Sequence, residues 1–238
     1  MSYSTISQMF DYATNQNLTK ALYYYKRGEN WVGLTGLDIR NTVKDIAFAL
    51  RSLGMQSGTN AAILSNNSPQ WAMSDYGIIC SGSASVSIYP TLIPSQIEYI
   101  LNDSKSSLIF IENQEQYDKI KAIWPNCPNL KTIVLLDNSD TKNIENVYTL
   151  NDLLDMGSEY SKSVDLSFDS LLNTAKPSDL LTLIYTSGTT GNPKGVMLSH
   201  ENLIANMEGI GRLIDFGTDD VFLSFLPLSP VFWRMGGD

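Results

Sequence analysis

From Ala61 onward the chain alternates short apolar runs with stretches of helical spacing, and that rhythm restricts the fold more than any other feature. Ala61 to Leu64, Ala84 to Tyr89, Leu108 to Ile111, Thr132 to Leu136 and Leu180 to Tyr185 read as short buried strands. Between them, Pro69 to Ile79, Pro94 to Leu101, Glu115 to Trp124 and Asn151 to Met156 read as helices. Ser68 stands as a cap before Pro69 at a first helical position. Strands that alternate with helices form a mostly parallel sheet with helices on both faces, an α/β fold. In open sheets of this kind, ligands sit outside the carboxyl ends of the strands.

The chain before this region is different. Ile6, Met9, Phe10 and Ala13 have helical spacing, with Ser4 or Thr5 placed to cap. Ala21 to Lys26 and Asn30 to Leu34 read as a hairpin. Thr35 opens an amphipathic helix whose apolar face is Ile39, Val43, Ile46, Ala47, Leu50 and Leu53, with Gly54 at the C-cap. Later, Asn138 to Asn146 reads as a polar surface loop. Ser158 to Lys176 reads as a mobile connection with one apolar stretch, Leu166 to Leu172. Glu201 to Ile214 reads as a helix and Val221 to Leu226 as a further strand.

The run Thr186-Ser187-Gly188-Thr189-Thr190-Gly191-Asn192-Pro193-Lys194-Gly195 holds hydroxyls, glycines and a lysine between two apolar segments. Glycines let the backbone turn through positive φ and approach a ligand closely. Successive backbone N–H groups in such a turn form an anion-binding nest. The hydroxyls add rotatable donors. The lysine adds a point charge, whose attraction to a phosphate charge is ~4 kcal/mol at ~4 Å and an effective dielectric of ~20. This composition suits phosphate. It is not the nucleotide loop that ends in Gly-Lys-Ser/Thr and opens a helix: Pro193 and Gly195 flank Lys194, and Val196 to Leu198 reads as a strand. The segment is therefore expected at the tip of a strand–loop–strand. A plain Gly/Ser/Thr-rich connection is the simpler alternative.

The 238-residue chain carries a net charge of −9, which argues against a nucleic-acid surface and leaves an anionic ligand to be held by local groups. The two cysteines, Cys80 and Cys127, have no metal-like spacing and read as reduced thiols of a cytoplasmic protein. The N-terminus lacks the pattern of a secretory signal, and no apolar stretch approaches ~18 residues. The single histidine, His200, reads as a capping or exposed residue. One histidine assembles neither a zinc site nor a Ser-His-Asp triad.

The order Tyr-Thr-Ser-Gly-Thr-Thr-Gly-x-Pro-Lys-Gly-Val at Tyr185 to Val196 resembles the phosphate loop of the adenylate-forming enzymes. The segments AAILSNNSPQWAMSDYGII, YPTLIPSQIEYILNDS and LIFIENQEQYDKI, from Ala61 onward, resemble the long-chain acyl-CoA synthetase branch. So do SDLLTLIYTSGTTGNPKGVMLSHENL and, near the end, FLSFLPLSPVFWRMGG. The resemblance implies an incomplete N-terminal domain of an adenylate-forming enzyme over 1–238. Within it, 1–58 hold the hairpin and helix, 59–226 the βα sheet with the phosphate loop, and 227–238 the start of the next subdomain.

The activity implied is ATP-dependent conversion of a long-chain fatty acid to acyl-adenylate and then to acyl-CoA. ATP and CoA are substrates and Mg²⁺ accompanies the nucleotide. On matching positions, Thr186, Ser187, Gly188, Thr189, Thr190, Gly191 and Lys194 bind the ATP phosphates, and Thr186 also contacts Mg²⁺. The resemblance leaves open a homodimer and peripheral association with a membrane.

Two departures bear on this. Where the family has a histidine and then a glutamate after LPLS, this chain has Pro230 and Trp233. The Tyr-Gly-x-Thr-Glu segment, the ribose-binding Asp and the catalytic Lys of relatives are not in this sequence. The chain by itself is thus expected to be inactive, with apolar surface uncovered at Ile39 to Leu53 and Phe222 to Met235. A non-catalytic nucleotide- or acyl-binding remnant, or a ligase for another carboxylic acid, are the competing readings.

Overall fold

The computed structural model describes residues 3–137, 139, 144–186, 192–213, 217, 220–226 and 228. The first helix, α1 (Ile6–Gln16), starts where the Thr5 side chain accepts the Gln8 N–H. Two antiparallel strands, β1 (Ala21–Arg27) and β2 (Asn30–Thr35), form a separate ribbon. Helix α2 (Gly36–Ser52) follows. Thr35 and Asp38 close a capping box at its start, each side chain satisfying the other's backbone N–H. Leu53 is the C-cap of α2, and Gly54, at φ +82°, lies one position beyond it rather than at the cap.

The sheet then builds as the alternation predicts: β3 (Asn60–Leu64), α3 (Pro69–Cys80), β4 (Ala84–Ile88), α4 (Pro94–Asp103), β5 (Leu108–Ile111), α5 (Gln114–Ile123) and β6 (Thr132–Leu135). It continues through β7 (Val147–Thr149), α6 (Leu150–Ser163), α7 (Phe168–Leu172), β8 (Leu180–Thr186), β9 (Lys194–Ser199) and α8 (His200–Leu213). The strand order is β7-β6-β5-β3-β4-β8-β9. All neighbours are parallel except β8 and β9.

The strands have apolar residues on both faces because helices cover both. Ala61, Ile63, Leu108, Phe110, Val134 and Leu181 face a core shared with α1, α2, α3, α6, α7 and α8. Their alternates Ala62, Leu64, Ile109, Ile111 and Ile133 face a second core under α4 and α5, as does Leu183, which follows the register shift in β8. The connection through α3 steps from β3 to β4 on one face. The connection through α4 returns past β3 to β5 on the other. From β3 the chain moves one way and from β5 the other, so the topological switch lies between the carboxyl ends of β3 and β5.

Several expectations are corrected. The apolar face of α2 is not left uncovered: Ile39, Val43, Ile46, Ala47 and Leu50 are at most 1% exposed. α3 and α6 press against this helix from two sides. At Gly157 of α6 an added Cβ would stand 1.8 Å from the Asp45 carbonyl oxygen, so only glycine permits the crossing. The partner was missed because α6 runs to Ser163, well past Met156. The stretch from Ser158 to Lys176 is therefore not a mobile connection: it supplies the end of α6 and all of α7. Phe168 of α7 packs 6.4 Å from Phe48, ring to ring, and takes the Arg40 guanidinium on its face at 5.2 Å.

The expected strand at Val221 to Leu226 is irregular chain instead. Phe222, Leu223 and Phe225 are 47%, 70% and 70% exposed, so this part of the predicted apolar surface is open, while 227 and 229–235 of it, Pro230 and Trp233 included, lie outside the described residues. Strand β7 went unread because it is only three residues long. Asn138 and 140–143 of the predicted polar loop lie outside the described residues. No helix among the described residues is long and apolar enough to cross a membrane.

Candidate phosphate-binding site

β8 runs parallel to β4, so Thr186 emerges at the carboxyl end of the sheet. β9 returns antiparallel, pairing Ile184 with Val196, Tyr185 with Gly195 and Thr186 with Lys194. The expected strand–loop–strand is therefore present, with Val196 to Leu198 inside its second strand. Directly paired residues project to the same side of a sheet, their Cβ atoms about 5 Å apart. Thr186 and Lys194, both exposed, thus present a hydroxyl and an ammonium side by side. Ser187, Gly188, Thr189, Thr190 and Gly191, also expected to bind phosphate, lie outside the described residues.

The base of this hairpin is locked. The His200 N–H donates to the Asp179 carbonyl at 3.3 Å and the Glu201 N–H to the Pro177 carbonyl at 2.9 Å. Ser199 and Asn202 cap α8 reciprocally. His200 is neither exposed nor the cap. It is 2% exposed, and its Nδ1 accepts the Ile6 N–H at 3.1 Å, satisfying a donor that the first turn of α1 cannot use internally. An accepting Nδ1 requires the neutral ring. Burial pushes its pKa down to about 4, against a smaller opposing pull from Asp179.

Other groups line the carboxyl edge. The Glu112 carboxylate accepts both the Asn66 N–H and the Asn66 side-chain amide, at 2.9 and 2.7 Å. At the switch point, Asn67 donates to the Leu226 carbonyl at 2.6 Å and accepts the Leu228 N–H at 2.8 Å. It thus draws the chain that follows α8 to the end of β3. Neither Asn67 nor His200 was identified as functional from sequence, because their partners are more than a hundred residues away. Cys80 and Cys127 are both buried and free, and burial raises both thiols, Cys127 to about 11, so neither is a ready nucleophile.

Among the described residues no three His, Cys, Asp or Glu side chains group to hold a metal. A Mg²⁺ carried by a nucleotide would not call for such a group. This ion keeps several waters and takes most of its other ligands from phosphates, needing only one or two protein oxygens. The exposed hydroxyl of Thr186, at the strand end, is of the right hard-oxygen type.

A family model described as AMP-binding enzyme matches residues 10–236. Long-chain-fatty-acid–CoA ligase ACSBG1 of Rattus norvegicus is 32% identical over 231 residues, covering 95% of this chain and 32% of that protein. Long chain acyl-CoA synthetase 4 of Arabidopsis thaliana is 31% identical over 221 residues, covering 86% and 31%. The chain thus spans about a third of the length of the curated relatives it matches.

Among solved structures, a long-chain-fatty-acid-CoA ligase (FadD1) from Archaeoglobus fulgidus shares the fold with a TM-score of 0.79 at 20% identity, covering 98% of this chain and 43% of that one. A fatty acyl-adenylate ligase from L. pneumophila, solved with acyl adenylate and pyrophosphate, aligns with a TM-score of 0.72 at 20% identity, covering 96% and 36%. The parallel sheet, the hydroxyl- and glycine-rich sequence that follows β8 and the family match over nearly the whole length lead to one conclusion: the chain belongs to the AMP-binding enzyme family.

Proposed function

We propose that the β8–β9 hairpin grips the polyphosphate of MgATP in an enzyme that activates a long-chain fatty acid. The observation that carries this reading is the pairing of Thr186 with Lys194 at the carboxyl end of β8. The fatty-acid specificity is supported by the names of the curated relatives. In the reaction, a carboxylate oxygen attacks the α-phosphorus. The bond to the bridging oxygen breaks and pyrophosphate leaves, giving acyl-adenylate. The CoA thiol, losing its proton, then attacks the acyl carbonyl and displaces AMP.

Lys194 and the Thr186 hydroxyl would hold the β- and γ-phosphates, orient the α-phosphorus and offset the charge of the leaving pyrophosphate. Thr186, Ser187, Thr189 and Thr190 hydroxyls and the backbone at Gly188 and Gly191 complete the proposed cradle. Mg²⁺, when bound, supplies further charge neutralisation to the phosphates. CoA as second substrate, a cytoplasmic location and the division of one AMP-binding domain at 1–58, 59–226 and 227–238 belong to the same proposal.

The test is calorimetric titration of the 238-residue protein with MgATP and with inorganic pyrophosphate. Lys194→Ala should weaken both by about 2 kcal/mol, as for loss of a hydrogen bond to a charged group. Unchanged affinity would remove Lys194 from the site. The same protein should show no palmitate-dependent ATP–pyrophosphate exchange, because the segments that the resemblance assigns to adenosine and ribose are absent from it. Exchange above background would overturn that expectation. Pro230 and Trp233, in place of histidine and glutamate, favour a second reading, a nucleotide-binding remnant without turnover. An extended reading frame whose product also binds ATP but forms no acyl-adenylate would support it.

A further inference from the structure

Tyr185, immediately before the proposed phosphate site, is held by contacts that gripping phosphate does not itself require. Its ring belongs to the second core and is 9% exposed. Its hydroxyl donates to Asp103 Oδ2 at 2.6 Å, across 82 positions of sequence. Asp103 is the last residue of α4 and is exposed. A carboxylate there faces the negative end of the helix dipole, so helix stability does not account for it. Against the ring lies Gly195, the cross-strand partner of Tyr185. An ideal Cβ at Gly195 would stand 3.1 Å from Cζ and 3.2 Å from Oη of the tyrosine. The ring is thus confined between an acceptor on α4 and the bare backbone of β9.

We propose that Tyr185, tied to Asp103 and seated on Gly195, is a positioning residue that sets the pose of Thr186 and Lys194 toward polyphosphate. The inference rests on the phosphate-binding reading of this hairpin. Successive strand side chains point to opposite faces, so fixing Tyr185 below the sheet fixes the direction of Thr186 above it. The pairing of Tyr185 with Gly195 carries the constraint to the neighbouring Lys194. A purely structural role, in which a buried phenol simply requires an acceptor, would affect stability alone.

The two roles separate in a pyrophosphate titration of the 238-residue protein, at a temperature where circular dichroism shows each variant folded. Tyr185→Phe and Asp103→Ala should each weaken pyrophosphate about threefold or more, within the range of coupling between contacting residues. Asp103→Asn, whose side-chain carbonyl still accepts the phenol, should stay close to wild type. Gly195→Ala should weaken binding, and adding Tyr185→Phe should recover part of the loss, because the released ring can withdraw from the new methyl.

Because Asp103 is exposed, Asp103→Ala is expected to fold and keeps the test decisive if the tyrosine variant does not. Wild-type affinity in Tyr185→Phe and Asp103→Ala, with Lys194→Ala weakened, would overturn the positioning role and leave the phosphate site standing. Asp103→Asn binding as poorly as Asp103→Ala would also overturn it. Pyrophosphate failing to bind the unaltered protein, or binding equally to Lys194→Ala, would overturn the phosphate reading and this inference with it.

Discussion

The surroundings of α2 and the β8–β9 hairpin are built by opposite means. Around α2, a continuous apolar face is pressed between α3, α6 and α7, and position is set by the exclusion of water and by close contact of backbones. Around the hairpin, much of β9 is open, with Val196 and Met197 43% and 66% exposed. There, position is set by a few directional bonds: Tyr185 to Asp103, Ile6 to His200, and the carbonyls of Pro177 and Asp179 to the start of α8. A packed region tolerates little change of volume. A bonded region tolerates changes of exposed volume but not the loss of a donor or acceptor. A ligand as large and charged as a triphosphate needs open, polar space, so the second construction suits the proposed site.

The largest expected effect tests the packed side. Phe48→Ala, at a 2% exposed position against Phe168, should cost about 3–5 kcal/mol in urea unfolding. A cost below ~1 kcal/mol would show that α7 does not hold α2 as described. Next comes the directional side. Folded His200 has a pKa of about 4 against an ordinary 6.5, so its contribution is fully present above pH 6.5 and is lost as pH falls from there through 4. The loss attributable to this group is ~3 kcal/mol. His200→Asn keeps an acceptor near the Nδ1 position and does not titrate, so it should lose less stability over that interval. Identical acid limbs for the two proteins would contradict a neutral, buried ring. The smallest effect concerns the exposed site itself: Lys194→Ala should leave the urea midpoint unchanged while weakening polyphosphate binding. A shifted midpoint would place Lys194 in the structural framework and blur the contrast between the two regions.

The legible parts of the fold were those with local causes. Ser68 before Pro69 announced α3, Thr35 before the apolar spacing of Ile39 to Leu53 announced α2, and runs such as Leu108 to Ile111 announced strands, because caps and apolar runs act over a few residues. The parts misread depended on distant partners. Ser158 to Lys176 looks polar and loose, yet Gly157 and Phe168 lie against α2, more than a hundred positions earlier. Val221 to Leu226 has a strand-like composition but is irregular chain, and Asn67, 159 positions earlier, donates to the Leu226 carbonyl. At the proposed site, the hydroxyls, glycines and lysine suggest a phosphate cradle by composition and order, and Ser187 to Gly191 of it lie outside the described residues. Asp103 was not, since nothing near it in sequence distinguishes it from a solvent-facing carboxylate.

By itself, the sequence determined the alternation of strands and helices, and with it the parallel sheet, and it determined the chemistry carried at the end of β8. Periodicity and side-chain type specify which face is buried and which donors are available, and both are properties of short stretches. Only the tertiary structure decided that α6 and α7 cover α2, that a neutral His200 joins α8 to α1, and that Asp103 holds Tyr185 beneath Thr186. Each of these needs two segments brought together by the collapse of the whole chain, so no local pattern could encode it.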